Sequence, residues 1–169
     1  IMLMPPYHGV GLQADEAAVI EHFDRAANAG GIPIMVQDAP LSGVQLPVGL
    51  LARMAQSIPL LQYFKIETPQ AAGKLRALIA QGGDDIVGPF DGEEGITLMA
   101  DLDAGATGTM CSALIPDLIR PVLEAHQVGD REAAAQHYQR ILPLINYENR
   151  QCGLRATKAV MKEGGVIHS

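Results

Sequence analysis

Tryptophan is absent from this 169-residue sequence, and aromatic residues make up only 4% of it. The two cysteines, Cys111 and Cys152, form neither a metal-ligand spacing nor a disulfide framework, which favours a reducing cytoplasm as the setting. No apolar run is long enough to cross a bilayer, so we expect no membrane partner. Basic residues are few, 12 against 19 acidic ones for a net charge of -7, and they form no stripe, so we expect no nucleic-acid partner.

What the sequence does contain is apolar residues, 48% of the total, enough for a chain of this length to bury one core. The chain opens directly in an apolar run, Ile1–Met4, with no initiator methionine and no charged lead of the kind found in signal peptides. A strand that starts at the first residue predicts that the sequence is part of a longer one.

Strand-like and helix-like segments alternate along the chain as far as residue 111. The predicted strands are short, apolar runs at Ile1–Met4, Ile32–Gln37, Leu61–Thr68, Asp85–Gly88 and Ala106–Cys111. The predicted helices carry apolar residues at helical spacing and lie at Asp15–Ala29, Leu46–Gln56, Pro69–Ala80 and Gly95–Ala104. Thr68 is expected to cap the third of these helices, with Pro69 at its first position. This alternation predicts successive βα units of a parallel sheet.

The pattern then changes to helices alone, predicted at Pro116–Gln127, Asp130 to about Asn149, and Leu154–Glu163. Two α/β architectures fit these elements, an open doubly wound sheet or an arc of an eight-stranded barrel. Both architectures place ligand sites at the carboxyl ends of the strands. Polar residues that follow a predicted strand are therefore candidates: Tyr7 and His8, Gln37 and Asp38, Lys65 and Glu67, Asp91, and Cys111 with Ser112.

Lys65 ends the apolar run Leu61–Thr68 together with Glu67. Because a strand alternates its faces, the two side chains are expected to point the same way. Desolvation at the end of an apolar strand lowers the pKa of an amine, and a neutral amine attacks ketones to form a Schiff base. A carboxylate on the same face could then move protons on the adduct. The simpler alternative is a solvated lysine at a strand end with a glutamate partner.

Other polar groups have simpler structural explanations. Gly82–Asp85 precedes a strand, which predicts a turn and not a phosphate site. Asp91–Gly95 follows a strand and predicts either a turn that shapes the pocket, which we favour, or a simple helix cap. His22 falls within a helix and is expected to be structural. Asp101 and Asp103 lack the rest of a metal-binding loop, so we expect no metal.

Five segments form an ordered set of motifs: Pro5-Pro6-Tyr7-His8, Asp38-Ala39-Pro40-Leu41-Ser42-Gly43, Lys65 in its apolar run, Pro89-Phe90-Asp91-Gly92, and Ala104-Gly105-Ala106-Thr107-Gly108. In this order and spacing they resemble the C-terminal part of the dihydrodipicolinate synthase and N-acetylneuraminate lyase superfamily. The resemblance implies a (β/α)8 TIM barrel fragment, about strands 4 to 8, over residues 1–127, with a C-terminal helical extension over residues 128–169. It also implies that Lys65, on the sixth strand, forms a Schiff base with a small-molecule 2-keto acid. Such enzymes need no organic cofactor and form homo-oligomers.

One departure from the superfamily narrows the expected reaction. Where its aldolases and synthases carry a proton-relaying tyrosine, this chain has Gln37, and it offers Glu67 just beyond the lysine. That combination resembles the sugar-acid dehydratase branch. The resemblance then implies dehydration of a 2-keto-3-deoxy sugar acid, in particular L-2-keto-3-deoxyarabonate to 2-oxoglutarate semialdehyde, within L-arabinose degradation.

The resemblance also assigns roles to individual residues. It implies Lys65 and Glu67 as the catalytic pair, and substrate contacts from Tyr7, His8, Gln37, Asp91 and Gly92. Two other functions stay open at this point. One is a retro-aldol lyase or synthase of the same superfamily that uses pyruvate, and the other is a non-catalytic protein that binds a keto acid.

Overall fold

The computed structural model describes residues 1–7 and 14–168. Five strands form one sheet in sequential order: β1 (Met2–Leu3), β2 (Ile34–Asp38), β3 (Leu61–Ile66), β4 (Gly88–Asp91) and β5 (Gly108–Thr109). Each neighbouring pair is parallel. A doubly wound sheet reverses its strand order at a switch point, whereas a barrel adds each strand beside the preceding one. The order of this sheet is that of a barrel arc.

Helices connect and follow the strands. They are α1 (Glu16–Gly30), α2 (Val48–Ser57), α3 (Ala71–Gly82), α4 (Leu98–Asp103), α5 (Pro116–Gln127), α6 (Arg131–Tyr147) and α7 (Leu154–Glu163). Short 3-10 turns occur at Pro40–Ser42, Gly83–Asp85 and Glu93–Gly95, and a π-helical turn, Glu148–Cys152, separates α6 from α7. In the described part of the chain, no helix combines the length and the hydropathy that crossing a membrane requires.

Local sequence signals fix several helix ends. The Asp15 carboxylate accepts a hydrogen bond from the N–H of Ala18 at 2.8 Å and caps α1, which ends at Gly31 in the left-handed region with φ of 61°. Asp130 caps α6 in the same way, through the N–H of Ala133 at 3.0 Å. These caps satisfy backbone groups that a helix end leaves without partners.

The two faces of the sheet have different surroundings. Phe64 and Ile66 of β3 are buried on the face that packs against the helices. Burying such side chains contributes roughly 1.5–3 kcal/mol each. On the opposite face, Met35, Tyr63 and Phe90 line an open apolar cavity of about 340 Å³. By strand alternation, Lys65 belongs to this open face with Tyr63.

The C-terminal helices are tied to the segment that follows β4. The hydroxyl of Tyr138, in α6, lies 2.6 Å from the carbonyl oxygen of Ile96 and 3.0 Å from that of Gly95. Burial raises the pKa of Tyr138 to about 12, so this hydroxyl remains a donor. The predicted division of the chain at residues 127 and 128 falls between α5 and α6 and stays a prediction.

Two sequence-based predictions were wrong in detail. Thr68 does not cap α3, because Gln70, in the left-handed region with φ of 61°, directly precedes the helix and Ala71 begins it. The fourth strand is Gly88–Asp91 and not Asp85–Gly88, since Asp85 belongs to a 3-10 turn. Pro89 takes part in the sheet through its carbonyl oxygen, which accepts a hydrogen bond from the N–H of Thr107 at 2.8 Å.

Candidate active site

Lys65 and Glu67 form an ion pair at the carboxyl end of β3. The Nζ atom of Lys65 lies 2.5 Å from Oε1 of Glu67, and only about a tenth of each side chain is exposed. Both side chains project from the same face, as the strand alternation predicts. An amine and a carboxylate in contact and largely shielded from water can exchange a proton without moving apart. The expected contact between these residues is therefore present.

Two further hydrogen bonds hold the Glu67 carboxylate. The amide Nε2 of Gln37, on β2, donates to Oε2 at 2.9 Å, and the backbone N–H of Glu93 donates to Oε1 at 3.3 Å. Burial alone raises the pKa of Glu67, but the bonds from Lys65 and Gln37 favour the charged form and outweigh burial. The pKa of Glu67 therefore lies below its usual value.

Gly92 is required by the position of Glu67. A Cβ atom at Gly92 would lie 2.2 Å from Cγ of Glu67 and 3.2 Å from its Oε1. The backbone of Gly92, with φ of -124° and ψ of -153°, is one that any residue adopts. The requirement for glycine is thus steric and comes from the close approach of the Glu67 side chain.

The turn after Gly92 is strained. Glu93 and Glu94 both have left-handed backbones, with φ of 51° and 59°. For residues other than glycine this conformation costs about 1–3 kcal/mol each, and it persists where neighbouring groups hold it. Burial raises the pKa of Glu94, with Lys65 acting in the opposite direction. The N–H of Glu93 in this strained turn donates a hydrogen bond to Glu67. The contact with Glu67 is therefore one of the interactions that hold the strained backbone in place.

A cavity of about 660 Å³ adjoins the Glu67 side chain. Its lining includes residues of the segment that follows β3, the turn that follows β4, and one residue of the π-helical turn: Thr68, Gln70, Glu93, Thr97 and Arg150. The lining also includes Ala72 of α3 and Ala100 of α4 but not Lys65, so the cavity opens between these helices and not at the Lys65 amine.

Other strand-end carboxylates face the helices. In register, Lys65 of β3 pairs with Phe90 and Ile66 pairs with Asp91, so Asp91 shares the helix-facing side with Ile66. Asp38 follows the same rule. Its Oδ2 lies 2.6 Å from Nζ of Lys74, on α3, and burial raises the pKa of Asp38 although Lys74 lowers it. The ion pair thus links β2 to a helix and not to the open face.

Asp91 belongs to a buried carboxyl pair. It is fully buried and accepts a hydrogen bond from the hydroxyl of Thr109 at 2.5 Å. Burial, followed by a hydrogen bond to the carboxyl group of Asp101, raises the pKa of Asp91 to about 9, against the lowering effect of Thr109. Asp101 in turn accepts from the hydroxyl of Thr97 at 2.7 Å. The raised pKa of Asp91 favours its protonated form at neutral pH, between β4 and α4.

The structure brings together only some of the residues predicted for the site. Gln37, Lys65, Glu67 and Gly92 are neighbours. Tyr7 is 60% exposed, and its ring lies 3.3 Å from where a Cβ of Gly43 would be. His8 lies outside the described residues.

Sequence reasoning predicted a turn at Asp91–Gly95 that shapes the pocket, but it missed the hydrogen bond from the Glu93 N–H to Glu67 and the contribution of the C-terminal extension. Asp103, considered above for metal binding, contacts Arg131 and His126 instead. In residues 1–7 and 14–168, no three side chains of His, Cys, Asp or Glu are grouped to hold a metal ion.

Comparison with known proteins relates the chain to a family of enzymes. The model of the dihydrodipicolinate synthetase family matches residues 1–169. An L-2-keto-3-deoxyarabonate dehydratase of Azospirillum brasilense is 57% identical over 169 residues, which is 100% of this chain and 55% of that protein. A 4-hydroxy-tetrahydrodipicolinate synthase of Methanosarcina acetivorans is 28% identical over 148 residues, covering 86% of this chain and 49% of that protein. The chain spans about half the length of the curated relatives it matches.

Solved structures share the fold. The crystal structure of dihydrodipicolinate synthase from Rhodopseudomonas palustris matches with a TM-score of 0.87 and 26% identity, covering 99% of this chain and 57% of that one. The enzyme from Aquifex aeolicus matches with a TM-score of 0.85 and 19% identity, covering 97% and 55%, and shows the fold alone. The predicted fold class, a fragment of a (β/α)8 barrel with a helical extension, is confirmed.

Proposed function

Because the chain belongs to the dihydrodipicolinate synthetase family, we propose that it carries the catalytic lysine of a Schiff-base hydro-lyase. Its substrate is a 2-keto-3-deoxy sugar acid, with L-2-keto-3-deoxyarabonate as the specific candidate. The 57% identity to the Azospirillum brasilense dehydratase supports this choice of substrate. The observation that carries the proposal is the contact of 2.5 Å between the Lys65 amine and the Glu67 carboxylate.

The reaction begins with the amine. Glu67 takes a proton from the Lys65 ammonium, and the neutral nitrogen attacks the C2 ketone of the substrate. Glu67 returns its proton to the hydroxyl of this adduct, which leaves as water and gives an iminium ion with Glu67 again a carboxylate. The iminium makes the C3 proton acidic because the cation accepts the electron pair as an enamine. The Lys65 nitrogen supplies this covalent catalysis without an organic cofactor.

Glu67 is the base that removes the C3 proton. The enamine then expels the C4 hydroxyl, which takes a proton from Glu67 and leaves as water. Tautomerisation through the C5 alcohol gives an aldehyde, and hydrolysis of the iminium frees Lys65 with 2-oxoglutarate semialdehyde as product. Gln37 cannot exchange protons as a tyrosine does, so Glu67 serves both proton transfers while the Gln37 amide holds it.

The surrounding residues would shape the pocket. Gly92 leaves room for the Glu67 side chain. On the helix-facing side, the hydrogen bond between Asp91 and the hydroxyl of Thr109 would hold the end of β4, which Gly92 follows. The superfamily resemblance supports substrate binding by Tyr7 and His8. We also propose, from the membership in this family, a cytoplasmic homo-oligomer whose ligand is a small 2-keto acid.

Reductive trapping tests the proposal. The full-length protein is incubated with L-2-keto-3-deoxyarabonate or pyruvate, reduced with borohydride and analysed by peptide mass spectrometry. We expect the adduct on Lys65 and not on Lys74, a matched control that is also largely buried beside a carboxylate. An unmodified Lys65 in folded protein would refute the Schiff base. Product analysis completes the test, since dehydration yields the semialdehyde, a retro-aldol lyase releases pyruvate, and a binding protein turns nothing over.

A further inference from the structure

We propose that Asn149, in the π-helical turn of the C-terminal extension, is a positioning residue that aims the Glu67 carboxylate through the Glu93–Glu94 segment. The inference rests on the proposed role of Glu67 as a base. It assigns to the extension a part in the reaction, although none of its residues is among the Lys65 and Glu67 contacts described above.

Asn149 makes two hydrogen bonds to the strained turn at Glu93 and Glu94. Its Nδ2 atom donates to the backbone carbonyl oxygen of Glu93 at 3.0 Å and to Oε2 of Glu94 at 3.2 Å. A side-chain amide carries two hydrogens on this nitrogen, so both bonds can form together. Asn149 thus contacts both residues of this turn that have left-handed backbones.

The same turn reaches Glu67. Asn149 binds the carbonyl of Glu93, and the N–H of Glu93 donates to Oε1 of Glu67 at 3.3 Å. The direction of that N–H depends on the backbone of Glu93, which would relax to an ordinary conformation if it were not held from outside. Loss of the hydrogen bonds from Asn149 would therefore turn the N–H of Glu93 away from the carboxylate of Glu67.

The π-helical turn places Asn149 where this contact is possible. Five residues, Glu148–Cys152, interrupt the α-helical repeat between α6 and α7. The buried Glu148 accepts a hydrogen bond from the hydroxyl of Thr157, and its carbonyl accepts from the N–H of Gly153 at 2.7 Å. Single π-helical turns within helices are frequent at functional sites. Here the turn is anchored on both sides of Asn149.

Arg150 also touches the turn but contributes less. Its Nη2 lies 2.8 Å from Oε1 of Glu93, yet the two side chains are 53% and 35% exposed. Exposed ion pairs are weak because water screens them, and this pair holds a side chain and not the backbone of Glu93. We expect Arg150→Gln to change the rate by no more than about fivefold.

The test compares two Asn149 variants with a matched control in the full-length protein. Asn149→Asp keeps the shape but removes the donor, and Asn149→Leu removes it without adding charge. Asn146→Asp and Asn146→Leu make the same changes at an exposed asparagine near the end of α6. We expect the Asn149 variants to lower kcat for dehydration by about 10- to 100-fold, the scale of a displaced catalytic group, while borohydride still traps the adduct on Lys65.

A second readout does not depend on turnover. The pKa of Glu67 is measured by an NMR pH titration of protein labelled with 13C-glutamate. The carboxyl resonance of Glu67 is assigned as the one that is missing from the spectrum of Glu67→Gln. Losing the Glu93 donor should raise the pKa of Glu67, and with it the acid limb of the kcat profile. The charged groups around Glu67, namely Lys65, Asp38, Glu93, Glu94 and Arg150, are the same in the Leu variant, which therefore isolates the hydrogen bond.

The outcomes separate the two proposals. Failure of the unmodified protein to form the adduct would refute the Schiff-base function, while the Glu67 titration would still report on positioning. If the Asn149 variants matched the Asn146 variants in kcat and in the pKa of Glu67, the positioning role would be wrong. A loss of trapping in proportion to kcat, with an unshifted titration, would show Asn149 to be structural only and would also overturn it.

Discussion

Replacing Gly92 by alanine is the most direct test of the site, because it adds one methyl group beside the proposed base. The new Cβ would lie 2.2 Å from Cγ of Glu67. Ordinary carbon contacts begin near about 3.5 Å, so the Glu67 side chain must retreat by more than about 1 Å. Cγ is near the root of the side chain, and its movement carries the carboxylate away from Lys65 and Gln37.

The size of the effect follows from this displacement. Misplacing a catalytic group by about 1 Å can lower a rate by about 100-fold, or about 3 kcal/mol in the barrier. Overpacking should cost about 1–3 kcal/mol of stability. The backbone at Gly92, with φ of -124°, adds no strain for alanine, so the loss should come from contact with Glu67.

The assay is kcat for dehydration, with trapping at Lys65 and thermal unfolding measured in parallel. Gly73→Ala is the control, since the same methyl group in α3 would meet no atom within 4 Å. Alanine favours a helix by up to about 1 kcal/mol over glycine, so this variant should be slightly more stable and equally active. A folded Gly92→Ala enzyme with unchanged kcat and pH profile would refute the close packing of Glu67 as the basis of the site.

Three further predictions concern the base, the buried carboxyl pair and the sheet edges. Glu67→Gln should leave trapping intact and slow dehydration by roughly two to four orders of magnitude; equal loss of both would make Glu67 a positioning group for Lys65. The pKa of Asp91 is about 9 in the folded state, above its usual 3.8, so the folded protein binds the extra proton and loses stability as the pH rises from 4 to 9. Asp91→Asn should flatten this decline in the free energy of unfolding, and parallel profiles would contradict the raised pKa of Asp91. Residues 1–169 expressed alone should associate through the edge strands and the apolar open face, which light scattering measures; a stable, active monomer would contradict the barrel arc.

Local signals made much of the fold predictable from the sequence. The bounds of α5 and α7 agree with the prediction, because proline and glycine are strong signals of helix boundaries. Pro116 begins α5, Gly153 directly precedes α7, and Gly164 directly follows it. Thr68 failed as a cap because Gln70 adopts a left-handed conformation, which glutamine does not signal. The alternation of elements predicted a parallel sheet but left its strand order open, and the resemblance to barrel enzymes selected the sequential order of an arc.

The site was only partly predictable. Strand periodicity predicts that Lys65 and Glu67 share a face, and the contact confirms it. The same periodicity directs Asp91 to the helix side, but this requires the register between β3 and β4, which no local pattern encodes. Asn149 could not be found from the sequence, because it contacts Glu93, 56 residues away, by way of a π-helical turn with no sequence signature.

Lys65 and Glu67 belong to one continuous segment of chain, with a single residue between them. Their separation is set by bond lengths and dihedral angles, whereas the contact of Gln37 with Glu67 depends on how two strands align. Small relative movements of the strands would therefore change the contact of Gln37 with Glu67 before they changed the distance between the Lys65 amine and the Glu67 carboxylate. The Lys65–Glu67 pair could therefore be transferred to a parallel strand of another barrel by a few substitutions. The transfer would also require a glycine after the next strand, as Gly92 is here, to leave room for the carboxylate.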